Sequence, residues 1–139
     1  MKISRQEDYA IIFVSALLEE NRSGHYLKLA FIAKKYGLPL AYLRKIALAL
    51  KTAGVVTVKE GRNGGYRLAG TPGALTLGQV LGAFSPRLFL TNCVSTNHSR
   101  RCLVYEHCPS RLVWQKISRE FTRDLYKIKF QEFIKQSAS

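Results

Sequence analysis

With 139 residues, 47% of them hydrophobic and none in a low-complexity run, the chain is sized for one folded domain with an extension. It has no apolar stretch of about eighteen residues, which excludes a membrane span, and its opening residues lack the apolar block of a secretion signal, which predicts a cytoplasmic protein. The net charge of +13 is concentrated: from Asn21 to Tyr105 thirteen Lys and Arg stand against one acid, Glu60, the footprint of a surface that binds nucleic-acid phosphates.

Ser4-Arg5-Gln6-Glu7 reads as a capping box, with Glu7 reaching back to the Ser4 amide. It opens a helix to about Glu20 on which Ala10, Phe13, Val14 and Leu17 recur at helical spacing. Asn21 to Gly24 breaks it. The block from Leu27 to Ile46 then predicts a short helix to about Tyr36, a turn at Gly37, and a second helix opened by Pro39, whose missing N–H costs nothing there. That is a helix-turn-helix layout, with small Ala33 where the helices touch and Leu43 and Ile46 facing the core; an ordinary αα-hairpin has the same outline. Gly54 is the expected left-handed cap.

Val55 to Lys59 is β-branched and strand-like, Glu60 to Gly65 is a glycine-rich turn, and Tyr66 to Ala69 returns as a second strand. A hairpin directly after a helix-turn-helix is a wing, tipped here by Lys59 and Arg62 with Arg67 nearby. A nucleotide phosphate loop does not fit, because no Gly-Lys-Ser/Thr follows and the turn joins two strands. Thr76 caps a short helix to Phe84. Residues 85–107 show no sustained period. Pro109 then opens a helix expected to run to about Lys135, striped by Val113, Ile117, Phe121, Leu125 and Ile128 and about 40 Å long. A helix of that length outreaches so small a domain, and its natural partner is the same helix of a second copy; packing on its own domain is the alternative.

The chain has three cysteines, Cys93, Cys102 and Cys108, all within sixteen residues. Three thiols cannot all pair within one chain, and a reducing compartment disfavours structural disulfides, so the cluster points to a metal centre or a redox switch. Cys108 precedes Pro109 at a helix N-terminus and Cys102 follows Arg100 and Arg101, settings that favour thiolate. Iron–sulfur clusters usually take four thiolates, so a fourth ligand is needed; His98 and His107 lie close in sequence. Zinc held by three cysteines and a histidine, and a metal-free thiol switch, both remain open. No Ser/His/Asp set, carboxylate pair or cofactor loop appears, so an enzyme is not expected.

These residues resemble one family of bacterial winged-helix regulators, which includes the iron–sulfur cluster regulator IscR, the nitric-oxide sensor NsrR and the iron-responsive regulator RirA. The resemblance spans nearly the whole chain. It rests on Lys2-Ile3-Ser4 with Asp8-Tyr9-Ala10, on Leu38 to Leu43, and on the wing Gly61-x-x-Gly64-Gly65-Tyr66-Arg67-Leu68. Leu75 to Val80, the three cysteines and the helix beginning at Pro109 complete it. It implies a homodimeric transcription factor that binds double-stranded DNA at a palindromic operator and, in cluster-binding members, an iron–sulfur cluster on the cysteines. It also implies Asp8 as the fourth ligand, because Asp8 matches the carboxylate that NsrR-type members supply across the dimer; a helix-dipole acid is the other role open to it. The IscR-type histidine three residues after the last cysteine is replaced by Arg111, so a 4Fe-4S cluster is favoured over 2Fe-2S. Two further departures stand out: Glu60 precedes the first wing glycine where the family usually has Arg, and eight residues separate Cys93 from Cys102 where about four to seven are usual.

The helix from Pro39 to Lys51 is expected in the major groove. Ala41, Tyr42, Arg44 and Lys45 are its DNA-facing residues, with Tyr42 equally at home as a core aromatic. Arg44 paired bidentately to guanine contributes about 1–3 kcal/mol of discrimination, and Ala41 suits a thymine methyl. Lys34, Lys35, Lys59 and Arg62 suit phosphates, which set register. The fold expected is mainly α with a small β-hairpin: a winged helix-turn-helix domain over residues 1–84, a cysteine-bearing sensor loop over 85–108, and a dimerisation helix and tail over 109–139. The function expected is a regulator, in the first instance a repressor, controlled by a cluster that senses iron, nitric oxide or redox state.

Overall fold

A computed structural model of the chain describes residues 4–20, 24–85 and 102–137. Helix α1 (Arg5–Glu20) is followed by α2 (Leu29–Tyr36), α3 (Leu40–Thr52), the strands β1 (Val56–Lys59) and β2 (Gly65–Leu68), and α4 (Leu77–Gly82). Helices α5 (Pro109–Leu125) and α6 (Phe130–Ser137) complete the chain, with short 3-10 turns at Pro72–Ala74 and Tyr105–His107. The two strands pair antiparallel with Val56 opposite Leu68 and Lys59 opposite Gly65. The result is a mainly helical winged helix with one hairpin, as the sequence predicts.

The start signals act as written. The Glu7 carboxylate accepts from the Ser4 amide at 2.7 Å and from the Ser4 hydroxyl at 2.8 Å. Thr76 and Gln79 form a full capping box on α4. Gly37 ends α2 in the left-handed region, φ 67°, its N–H donating to Ala33 O. Phe13, Leu17, Ile32, Leu43, Ile46 and Leu50 are the large, fully buried side chains that fasten α1, α2 and α3 together.

The C-terminal segment departs from expectation. The single helix expected from Pro109 to about Lys135 is two helices, broken between Leu125 and Phe130. The cause is tertiary: Leu77 N donates to Ile128 O at 2.8 Å, and Phe130 N donates to Leu75 O at 3.1 Å. These bonds pin residues 128–130 beside the start of α4 and place Phe130, 2% exposed, in the main core. Upstream, Leu125 packs with Leu81 in a smaller cluster, against Ile11, Leu77 and Ile128. At 17 residues α5 is about 26 Å long rather than about 40 Å.

Candidate nucleic-acid interface and thiol site

Helix α3 buries Leu43, Ile46, Ala47 and Leu50, so the opposite face is presented outward. That face carries Ala41, Arg44, Lys45 and Leu48, all exposed and spaced three, four and seven residues from Ala41. Leu48, 62% exposed, is absent from the residues picked by sequence, although the seven-residue step from Ala41 would have found it. Tyr42 sits at the edge of this face, half-buried, its ring meeting that of Tyr9 edge-on at 5.5 Å. The structure thus gives Tyr42 a packing partner and leaves part of it at the surface. Arg5, Tyr9, Pro39, Ala41, Tyr42 and Lys45 line one shallow groove between α1 and α3.

Lys34 and Lys35 are exposed at the end of α2, but they differ. Lys35 is ion-paired with Glu20 of α1, and that hydrogen bond raises its ammonium pKa above the ordinary value. Its charge is partly spent within the molecule.

The wing is braced from below by the segment that leads into α2. Leu27 and Tyr66 exchange backbone hydrogen bonds, Leu27 N to Tyr66 O at 2.8 Å and Tyr66 N to Leu27 O at 2.7 Å. Leu27, at the head of the block expected to form the short helix ending at Tyr36, is therefore a strand-like edge, and that helix begins at Leu29. Gly65 makes this approach possible: at φ 140° it leaves only 2.3 Å between an added Cβ and Leu27 O. Lys28 Nζ donates to Gly61 O at the wing turn, at 2.5 Å. Lys59 Nζ and the Arg67 guanidinium lie 5.8 and 4.7 Å from the centroid of the Tyr26 ring. Arg62 is exposed at the wing tip.

Two of the three cysteines, Cys102 and Cys108, lie among the described residues as half-exposed free thiols. Cys93 falls outside the described residues, as does His98. The turn Tyr105–His107 separates Cys102 from Cys108, which is the N-cap residue of α5. Cys108 Sγ lies 3.1 Å from the Ser110 hydroxyl. That hydrogen bond, followed by the Arg111 backbone N–H, lowers the Cys108 thiol pKa against the opposing effect of burial. The Arg111 guanidinium stacks 4.2 Å from the Tyr105 ring centroid, bracing the turn. Asp8 and His107 are exposed. Among the described residues no three His, Cys, Asp or Glu side chains come together as a metal site.

Beyond the turn, α5 presents Leu112, Val113, Trp114, Ile117 and Phe121 to solvent, each at least 36% exposed. No helix among the described residues is long and apolar enough to cross a membrane.

Residues 3–136 match the model of a family described as Rrf2, iron-dependent transcriptional regulator. The chain is 27% identical to the HTH-type transcriptional regulator NsrR of Geobacillus kaustophilus, in a match covering 100% of this chain and 93% of that one. It is also 27% identical to the regulator IscR of Vibrio atlanticus, over 99% of this chain and 77% of the relative. The fold is similar to that of CymR, the global cysteine regulator of B. subtilis, with a TM-score of 0.77 at 22% identity, covering 98% of both chains.

Proposed function

The chain belongs to the Rrf2 family, whose members are DNA-binding transcriptional regulators and not enzymes, and from that premise we propose that it is a homodimeric repressor whose operator affinity is set at its cysteines by an iron–sulfur cluster. The observation that carries this reading is the placement of Cys108. Cys108, whose thiol pKa is lowered, is the N-cap residue of α5, and the far end of that same helix packs Leu125 on Leu81 of α4.

Three parts divide the work, corresponding to residues 1–84, 85–108 and 109–139. In the first, α3 enters the major groove and offers Arg44 and Lys45 to base edges, with Ala41 and Leu48 against thymine methyls. Lys34, Lys59 and Arg62 neutralise phosphates on either side, with a lesser share from the paired Lys35. In the third, the exposed apolar face of α5 pairs with its copy. That pairing fixes the separation of two α3 helices, which must match half-sites about 34–36 Å apart on a palindromic operator.

The described part of the donor set fits a cluster in its chemistry: Cys102 and Cys108 are free, half-exposed thiols, and Cys108 is already biased toward thiolate. Cys93, Cys102 and Cys108 would hold it, with Asp8 of a second copy as the fourth ligand and 4Fe-4S favoured over 2Fe-2S. When bound, it would supply an oxidisable, nitric-oxide-reactive centre on these thiols. The chain's own part is mechanical. Ser110 and Arg111 hold the Cys108 sulfur at the helix end, and α5 conveys any change of setting there to Leu125 and so to α4 and α1.

The test is a visible spectrum of protein purified without oxygen, with iron and sulfide assayed on the same sample. A broad visible band with matching iron and sulfide supports the cluster. A colourless protein, still so after anaerobic reconstitution, overturns it. The lowered thiol pKa of the accessible Cys108 favours a second reading in that event, a metal-free thiol switch; bound zinc without colour would instead indicate a structural metal.

A further inference from the structure

We propose that Tyr26 is a positioning residue for DNA binding: its ring gathers Lys59 and Arg67 from the two wing strands into one phosphate-binding pair, which Lys28 extends. The proposal rests on the reading of the chain as a DNA-binding protein.

The pairing register creates the problem that Tyr26 answers. Lys59 stands opposite Gly65, and Arg67 stands opposite Thr57, so Lys59 and Arg67 are diagonal neighbours on the same face of the hairpin. At this diagonal spacing, about 7–8 Å between side-chain bases, two cations repel unless something lies between them. The wing's only acid is the exposed Glu60, and no ion pair involving Lys59 or Arg67 occurs among the described residues. Instead both cations lie within 6 Å of one half-buried ring, Arg67 at 4.7 Å and Lys59 at 5.8 Å. An aromatic face is negative at its centre and attracts both, yet it does not neutralise them as a carboxylate would. The pair therefore keeps its full charge for a ligand while its side chains are held in place.

The platform is itself fixed. Leu27, the next residue, is locked to Tyr66 by two backbone hydrogen bonds. Lys28, one residue further, donates to Gly61 O across the wing turn. Tyr66 in turn packs its ring edge-on against Phe13 of the core, at 5.8 Å. Residues 26–28 thus bind the wing to the rigid part of the domain and set the direction of its cations. His25, Tyr26, Lys28, Lys59, Arg62 and Asn63 share one concave surface there, which suits a run of phosphates rather than a base edge. Tyr26, Lys28 and Arg67 are not among the residues that the sequence pattern assigned to DNA.

The experiment measures binding of the full chain to a random-sequence 30-base-pair duplex over a range of salt concentrations, with thermal midpoints recorded for every variant. Tyr26→Ala weakens binding about threefold to tenfold, the size of one or two partly exposed cation–π contacts, with an unchanged midpoint. Tyr26→Phe, which keeps the ring, binds within about twofold of wild type. In a Lys59→Ala/Arg67→Ala background, Tyr26→Ala changes affinity no further. A Tyr26→Ala protein that binds as wild type overturns the proposal and leaves the DNA-binding reading intact. Tyr26→Phe as weak as Tyr26→Ala also overturns it, since the hydroxyl would then be touching DNA directly. A wild-type protein that binds no duplex overturns both.

Discussion

Helices α1 and α5 are nearly equal in length, 16 and 17 residues, but they are built for different surroundings. Helix α1 buries Phe13, Val14 and Leu17 completely and takes part in the core that holds α3. Helix α5 buries only Ser118 and Leu125, while Val113, Trp114, Ile117 and Phe121 stand at the surface on consecutive turns. The core of the winged head is closed by Phe130 from α6, whereas most of the apolar face of α5 has no cover among the described residues. An apolar face of that extent is the kind that association covers, and it begins within the first turn after Cys108, the N-cap residue. In the function proposed above, the head reads DNA and α5 sets two heads relative to each other.

Altering the exposed face of α5 has the largest expected effect. Ile117→Glu combined with Phe121→Glu is expected to halve the solution mass by light scattering. It should weaken binding to a two-half-site duplex about a hundredfold, because the second head no longer binds as part of one molecule. The head should still melt normally. The converse substitution is Leu43→Ala, in the head's core, which should cost about 2–5 kcal/mol in chemical denaturation because Leu43 is fully buried. Trp114→Ala, by contrast, should leave the stability of a dissociated chain nearly unchanged.

Smaller effects divide the head's own surface. Arg44→Ala should cost about 1–3 kcal/mol on a selected duplex and relax the preference at one base position. Arg62→Ala should weaken all sequences alike and reduce the salt slope by about one. Lys35→Ala should change that slope less than Lys34→Ala does, because Lys35 is paired with Glu20. The mildest change is at the thiol. Ser110→Ala removes the main cause of the lowered Cys108 pKa, so the pH profile for alkylation of metal-free protein should move upward and the rate at neutral pH should fall.

Much of the head was legible in the sequence because its signals are local. The Ser4–Glu7 box, the Thr76 cap, the turns at Gly37 and Gly54, and the helical spacing of Leu43 and Ile46 each depend on residues within a turn or two. The break after Leu125 was not legible. The apolar period runs on through Ile128, and the hydrogen bonds that end the helix come from Leu75 and Leu77, some fifty residues upstream. Leu27 was misplaced for the same reason, since its partner Tyr66 is distant in sequence and Gly65 permits the approach only through tertiary contact. Cation patterning pointed to Lys59 and Arg62, but the ring that holds Lys59 beside Arg67 sits on another segment. At the thiols, sequence gave the helix-end position of Cys108, while the Ser110 contact required the folded turn.

One titration decides whether the cysteine site governs the grip on DNA. A duplex would first be selected by the anaerobically purified protein from a random library. Its affinity would then be measured on that protein and on the same sample after metal removal, at matched salt and with dimeric mass confirmed in both states. Affinity should differ about tenfold or more between the two, the range typical of coupling between linked sites. Equal affinity in two intact dimers would mean that the cysteine site does not control DNA binding.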